Sequence, residues 1–535
     1  MATNAEQGSG RVVMIGVDTA RPDQIDRFCS DGTMPALQQL RQRGVWGSLE
    51  SVSNYSSGAI WPSLVTGHLP HRHGQYFTHM QLKNGTYHIV KRYADDLKGS
   101  PFWDAATANG RRVAVIDVPQ TRPAANFNGV HVTGWGGEFP GWPPDSWPKN
   151  LMTEIYGTIG KHPIVHGDPR IFIKPTTREQ YRAVTTALQD GMEKKRQLLN
   201  YLMEKEPWDL FLTVLPETHW AMHVLCHLLE PGHPDHKPEF DDEFGEFFAR
   251  LFAKQDEVIA DFVERAPDAN FIVFSGSGMR PNYTGSHLLP QVVAKLGLGP
   301  NGAAASESGE STPKSKGWAY YRIRKLQDTF GIPLINTVKH WAPERTWDKW
   351  TRRLVYPSGQ WAKSRAFVVP NDCNGSIRIN LKGREPNGIV EPTEYDALCD
   401  MLEQELAALE NVATGAPAVE SIIRTRRELN TTAADDLPDI IVTWSGDAPK
   451  SGLRSPRIGT VLGADPERRS GRHHPEGFAV MAGPGITSGE KLVDAQLLDL
   501  PPTVLTLMGV EPNTGLDGKV LSVVDSTSTQ SAVAK

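Results

Sequence analysis

Short apolar runs recur along this chain, and most of them stop at a polar residue. Arg11 to Val17 (RVVMIGV) ends at Asp18, Arg112 to Ile116 (RVAVI) at Asp117, and Asn270 to Phe274 (NFIVF) at Ser275; Leu210 to Leu215 (LFLTVL) leads into Glu217. A continuous apolar run of this length reads as a strand buried in a parallel sheet, with its polar end at the carboxyl edge, where open α/β sheets bind ligands. Ile440 to Trp444 and Gly477 to Met481 are further runs of the same kind. Between the runs, Met34 to Arg43 has helical apolar spacing, and Glu179 to Lys205 is long, charged and amphipathic. Strands alternating with helices predict an α/β fold, a mostly parallel central sheet with helices on both faces.

Composition narrows the function. The formal charge is -6, so the chain carries no basic field to hold a nucleic-acid polymer, while a small anionic substrate bound by a local positive site remains open. Cys29, Cys226, Cys373 and Cys399 form no C-x-x-C pair and read as free thiols of a reducing compartment. The polar start of the chain has no apolar core of a signal, and no run approaches the roughly 18 apolar residues of a membrane span, so a cytoplasmic protein without a membrane partner is expected.

The organisation expected is a tail over 1–10, a core from 11 to 300, a flexible Gly/Ser/Pro-containing loop over 301–316, an inserted cap over 317–430 rich in Trp, Arg and Pro, a second core segment over 431–522, and a tail over 523–535. The cap is expected over the mouth of the site. Its Trp341, Trp347, Trp350 and Trp361 read by default as packing residues. Asp499 to Gly509 (DLPPTVLTLMG) is a short helix with prolines in its first turn.

Four segments carry residues with chemistry. Asp18, at a strand's end, suits a metal ligand or substrate-orienting carboxylate and equally a helix N-cap. Ser56 and Ser57 precede a helical stretch, where free backbone N–H groups favour an anion; taken alone they read as N-capping serines. In Glu217-Thr-His219-Trp-Ala-Met-His223, histidines four apart share one helical face and can chelate zinc, or form a wet surface. The nearby His227 reads as structural. Gly471-Arg-His473-His-Pro-Glu-Gly477 is a ligand-bearing or plain polar loop.

In order along the chain, these segments resemble the type I phosphodiesterase/nucleotide pyrophosphatase family of the alkaline phosphatase superfamily. The matching stretches are Ile15 to Asp18 with Met34-Pro35-Ala36-Leu37 and Gly44, Ser57-x-x-x-Trp61-Pro-Ser-Leu-Val-Thr66-Gly67 with Pro70, His73 and Gly74, the His219/His223 segment, Ser275-Gly276-Ser277-Gly278-Met279, the His473 segment, and Asp499-x-x-Pro502-Thr503 with Leu516-Asp517-Gly518. Arg378-x-Asn380-x-x-Gly383-Arg384-Glu385 and Arg454-Ser-Pro-Arg457-Ile-Gly459 have the look of the same branch. The resemblance implies that Ser57 stands at the nucleophile position and that two metals, usually zinc, are bound.

The departures are as informative. His219 replaces the family's Asp, giving a set His219, His223 and His473 that suits one zinc ion with an open fourth position. Gly276 and Ser277 stand where the second metal's Asp and His belong, leaving Asp18 and Ser57 for that ion. The resemblance therefore implies a hydrolase or phosphoryl-transfer enzyme for a phosphodiester, nucleotide or related anionic ester. Ser57 or a water would attack, Asp18 would orient the nucleophile or act as base, and Arg378 or Arg384 would contact substrate phosphate. The alternative is a catalytically silent relative used as a binding or scaffold module. On the one-metal reading, restoring Asp at 276 and His at 277 should raise the stoichiometry toward two.

Overall fold

The computed structural model describes residues 10–77, 80–136, 144–164, 168–300, 358–431, 434–464, 469–489 and 491–524. The loop at 301–316, the first part of the cap and Trp341, Trp347 and Trp350 lie outside the described residues, as do the expected tails apart from residues 10, 523 and 524. The chain divides into two compact units, the second made of Gln75–Arg92 and Tyr283–Pro466 and the first of the rest. The cap expected at 317–430 thus belongs to a longer unit that also takes a piece from much earlier in the chain.

The first unit is built on a nine-stranded sheet. Across it run Ala495–Gln496, Val45–Glu50, Glu476–Ala482, Asn270–Ser275, Val12–Val17, Leu210–Leu215, Val113–Ile116, Gly129–Thr133 and Asp145–Trp147. Val12–Val17 pairs in parallel with both Leu210–Leu215 and Asn270–Ser275, and all three strands are buried along their full length. That double burial is why they read as unbroken apolar runs. Alternate side chains serve opposite faces. Val13, Ile15 and Val17 join one core with residues of the helices Pro22–Ser30, Pro35–Arg43, Arg178–Lys205 and Phe247–Arg265. On the other face, a Cβ at Gly16 would lie 3.3 Å from the Trp61 ring of helix Ile60–Thr66.

Glu476–Ala482 enters this sheet antiparallel to both its neighbours, Asn270–Ser275 and Val45–Glu50. Its N-terminal end therefore lies at the same edge as the C-terminal ends of the parallel strands. Val45–Glu50, reversed twice, runs with Asn270–Ser275, so the segment that follows it also leaves at that edge. The sheet is mixed rather than uniformly parallel, with helices on both faces.

The second unit holds a four-stranded antiparallel sheet in the order Ala366–Val368, Gly375–Ile379, Ile440–Trp444, Val419–Arg424. Ile440–Trp444, expected in the parallel sheet, sits here because a central antiparallel strand buried on both faces has the same continuous apolar pattern. Trp361 is buried with Tyr87, Phe367 and Val369, so it packs as expected. Among the described residues, no helix is long and apolar enough to cross a membrane.

Candidate active site

The carboxyl edge of the first unit's sheet gathers Asp18, His219, His223 and His473. Asp18 follows Val12–Val17 directly and is buried, and the next residue, Thr19, takes a left-handed φ of 67° that turns the chain sharply away. Helix Glu217–Leu225 starts one residue after Leu210–Leu215 and is buried throughout. It is pinned to the neighbouring strand end by Thr218 Oγ1, which donates to the Asp18 carbonyl at 2.7 Å and accepts from Gln255 Nε2 at 3.1 Å. At its first residue, Glu217 Oε1 lies 3.2 Å from His162 Nε2, a pair with almost no exposure.

His219 and His223 lie one turn apart on this helix, and their Nε2 atoms approach to 2.8 Å. The third ring arrives on the strand Gly471–His474, which pairs with Gly278–Pro281 so that Met279 faces His473. The His473 ring centre is 5.0 Å from that of His219 and 5.2 Å from that of His223. One nitrogen from each ring can be chosen so that all three lie within 4.8 Å of one another. Residues 254 positions apart (473 − 219) thus meet because the antiparallel strand Glu476–Ala482 begins at this edge.

The outer nitrogens are also placed. His219 Nδ1 is 3.2 Å from Asp18 Oδ2, His223 Nδ1 is 3.2 Å from the Gly471 carbonyl oxygen, and His473 Nδ1 is 3.1 Å from Ser277 Oγ. The Asp18 contact is an ion-pair approach without hydrogen-bond alignment, and Asp18 Oδ2 makes no hydrogen bond. A neutral imidazole has one donor and one acceptor nitrogen. A carbonyl oxygen accepts only, so Gly471 favours the proton on Nδ1 of His223. The two Nε2 atoms at 2.8 Å are joined by a proton donated from His219 to His223, or become joint ligands once a cation takes that proton's place. A zinc ion with nitrogens at about 2.0–2.1 Å would spread tetrahedral donors to about 3.3 Å, a small adjustment. The three-histidine set therefore fits a zinc-like ion.

The second set does not. Ser277, fully buried, turns its hydroxyl to His473, and its carbonyl accepts from Ser275 Oγ at 2.7 Å. A Cβ on Gly276 would stand 2.7 Å from Ile60 Cγ2, so the place of the missing carboxylate is filled by a branched side chain. Restoring Asp at 276 is not the simple reversal that the motif suggests. Ser57 opens the short 3-10 turn Ser57–Ala59 that leads into the Ile60 helix, while the preceding Ser56 is the N-cap, its hydroxyl accepting from Gly58 N. The capping alternative falls on Ser56 and leaves Ser57 for other work.

Arg378 and Arg384 lie in the second unit, buried. Arg378 donates to Glu385 at 2.7 Å; Arg384 makes a bidentate pair with Asp439, both contacts 2.7 Å, and also reaches Glu385. Burial alone would raise the Asp439 carboxyl, but Arg384, then Arg378 and the Ile379 N–H, outweigh it and hold it at about 2. These side chains are fixed within a core, so their substrate-binding reading gives way to a structural one. Sequence reasoning missed Ser277 as a partner of His473 and Glu217–His162 as the anchor of the ligand helix. Ser277 registered only as a lost ligand, and nothing in the spacing of His162 joins it to Glu217.

Against this geometry, residues 12–445 match the family model for type I phosphodiesterase/nucleotide pyrophosphatase. The chain belongs to that family of phosphoester hydrolases, within the alkaline phosphatase superfamily. Solved structures of similar fold include phosphonoacetate hydrolase from Sinorhizobium meliloti 1021 in complex with phosphonoacetate, 13% identical with TM-score 0.50, covering 93% of this chain and 95% of that one. Murine ectonucleotide pyrophosphatase/phosphodiesterase 5 in complex with AMP is 10% identical with TM-score 0.46, covering 94% and 96%. The human counterpart is 11% identical with TM-score 0.45, covering 96% and 100%. No curated protein matches.

Proposed function

We propose that this protein is a one-metal hydrolase of a phosphodiester, nucleotide or related small anionic ester, with His219, His223 and His473 as the ligands of a zinc-like ion. The observation that carries the reading is the convergence of these rings, with the outer nitrogen of each against Asp18, Gly471 or Ser277. Neutral ligands leave the ion's charge undiminished, and when bound it would polarise a phosphoryl oxygen of the substrate. Ser57 is the nucleophile in this reading, at the family position and at the head of a turn whose cap is provided by Ser56. Asp18 supports His219 at the rim of the same site. The four described cysteines are free and buried, which supports a reducing, cytoplasmic setting.

The packing of Ile60 against Gly276 favours one specific second reading, a silent binding protein, because it removes the place of the ion that would ordinarily activate the serine. The test is hydrolysis of bis(4-nitrophenyl) phosphate by zinc-loaded protein, with the His223→Ala and Ser57→Ala variants alongside. Zinc-dependent turnover lost in both variants supports the enzyme. Zinc binding with turnover no greater than that of either variant supports the silent reading.

A further inference from the structure

The positions left over from the second metal site have their own arrangement. Asp18 is 2% exposed, its backbone is held by Thr218, and its Oδ2, which makes no hydrogen bond, is aimed at His219 Nδ1. Ser277 is 0% exposed, its backbone is held by Ser275, and its hydroxyl sits on His473 Nδ1. The Gly471 carbonyl completes the series at His223.

We propose that Asp18 and Ser277 are positioning residues rather than ligands of a second ion. Ser277 and the Gly471 carbonyl hold the proton on Nδ1 of His473 and His223 and turn their Nε2 atoms inward, and the Asp18 carboxylate faces Nδ1 of His219 and orients that ring by its charge. The proposal rests on the three-histidine metal reading and assigns duties to residues outside it. Ligand histidines commonly donate their outer N–H to a carboxylate or carbonyl, which fixes ring orientation and raises ligand basicity. Here the Gly471 carbonyl and the Ser277 hydroxyl do this, while the Asp18 carboxylate stands against the third ring as a charge. A serine in place of a family histidine has thus moved from the inner layer of a lost site to the outer layer of the remaining one. Its short side chain reaches the His473 ring only because Ser277 lies on the turn just before Gly278–Pro281, the partner strand of His473.

The experiment combines imidazole 15N NMR of histidine-labelled, zinc-free protein with zinc affinity by chelator competition. In the unmodified protein, His223 and His473 should each carry the proton on Nδ1, with Nε2 of His219 donating to Nε2 of His223 until zinc enters. Ser277→Ala should shift the tautomer signals of His473 alone, and Asp18→Asn those of His219 alone. Each variant should weaken zinc binding by about 10- to 100-fold with unchanged stoichiometry. Protons on Nε2 rather than Nδ1 of His223 and His473 in the unmodified protein would overturn the proposal. So would variants that bind zinc as tightly as the parent with unaltered ring signals. If the Nδ1 pattern holds but the parent protein takes up no zinc, the orienting shell stands and the metal reading is what fails.

Discussion

Ile60 Cγ2 lies 2.7 Å from the position that a Cβ on Gly276 would take. Ile60 is branched at Cβ and begins the buried helix Ile60–Thr66, so this methyl cannot swing aside without a change of rotamer or a shift of the helix. The bare Gly276 and the isoleucine are two sides of one packing solution, and the proposed loss of the second metal site rests on it.

Gly276→Asp should therefore destabilise the protein by about 1–3 kcal/mol, the usual range for overpacking. The Gly276→Asp/Ser277→His double variant should still bind a single ion, with weaker affinity because His473 loses its hydroxyl partner. Adding Ile60→Ala should relieve the clash and recover part of the stability. Urea denaturation and metal analysis on the three proteins check this; full stability in Gly276→Asp would contradict it.

Gly471 is constrained from the other side. A Cβ there would fall 2.2 Å from the Met222 carbonyl oxygen, and a backbone atom cannot yield without parting the His473 strand from the His219/His223 helix. Gly471→Ala should lower zinc affinity at least as much as Ser277→Ala and destabilise the fold by about 1–3 kcal/mol. Zinc competition and thermal melting measure both. Affinity equal to that of the parent would separate the strand from the site.

The buried Arg384–Asp439 pair gives the second unit a pH signature. The Asp439 carboxyl sits near 2 when folded, below its ordinary value of about 3.9. Its contribution is complete above about pH 4 and is lost as pH falls toward 2. Asp439→Asn leaves Arg384 buried beside a neutral group and should cost about 3–5 kcal/mol near neutrality. It should also flatten the acid limb of the stability curve, followed by urea denaturation from pH 2 to pH 7. If Arg384→Lys raised KM with no loss of stability, the arginine would be a substrate contact instead.

Much of the site was legible because its residues are tied to strand ends. Asp18 and Glu217 mark the carboxyl edge directly, and the four-residue spacing of His219 and His223 places both on one helical face. His473 was legible only through the ordered family motifs, since nothing local shows that its strand enters antiparallel. At residues 276 and 277 the sequence reading stops short of the packing. The motif shows that ligands are missing, but which side chain filled the space depends on a contact between residues 216 positions apart (276 − 60). Arg378 and Arg384 misled because a guanidinium suited to phosphate is equally suited to a buried carboxylate. Ile440–Trp444 misled because burial on both faces erases the alternation that tells sheet types apart.

Ser57→Ala should leave zinc stoichiometry and affinity nearly unchanged, because the proposed ion is held by the histidine nitrogens and not by the serine hydroxyl. Turnover of a nitrophenyl phosphodiester should fall by at least about a thousandfold, as expected when a nucleophile is removed. Residual activity close to that of the parent would assign the attack to water rather than to Ser57.

The central claim is the number of ions, and elemental analysis of protein equilibrated with zinc and freed of excess measures it most directly. The account predicts about one zinc-like ion per chain, falling to none in His223→Ala, because three neutral nitrogens suffice for a catalytic zinc site with an open fourth position and the second set has lost its ligands. Two tightly held ions per chain in the unmodified protein would contradict it, since they would require ligands other than Gly276 and Ser277 at the position Ile60 now fills.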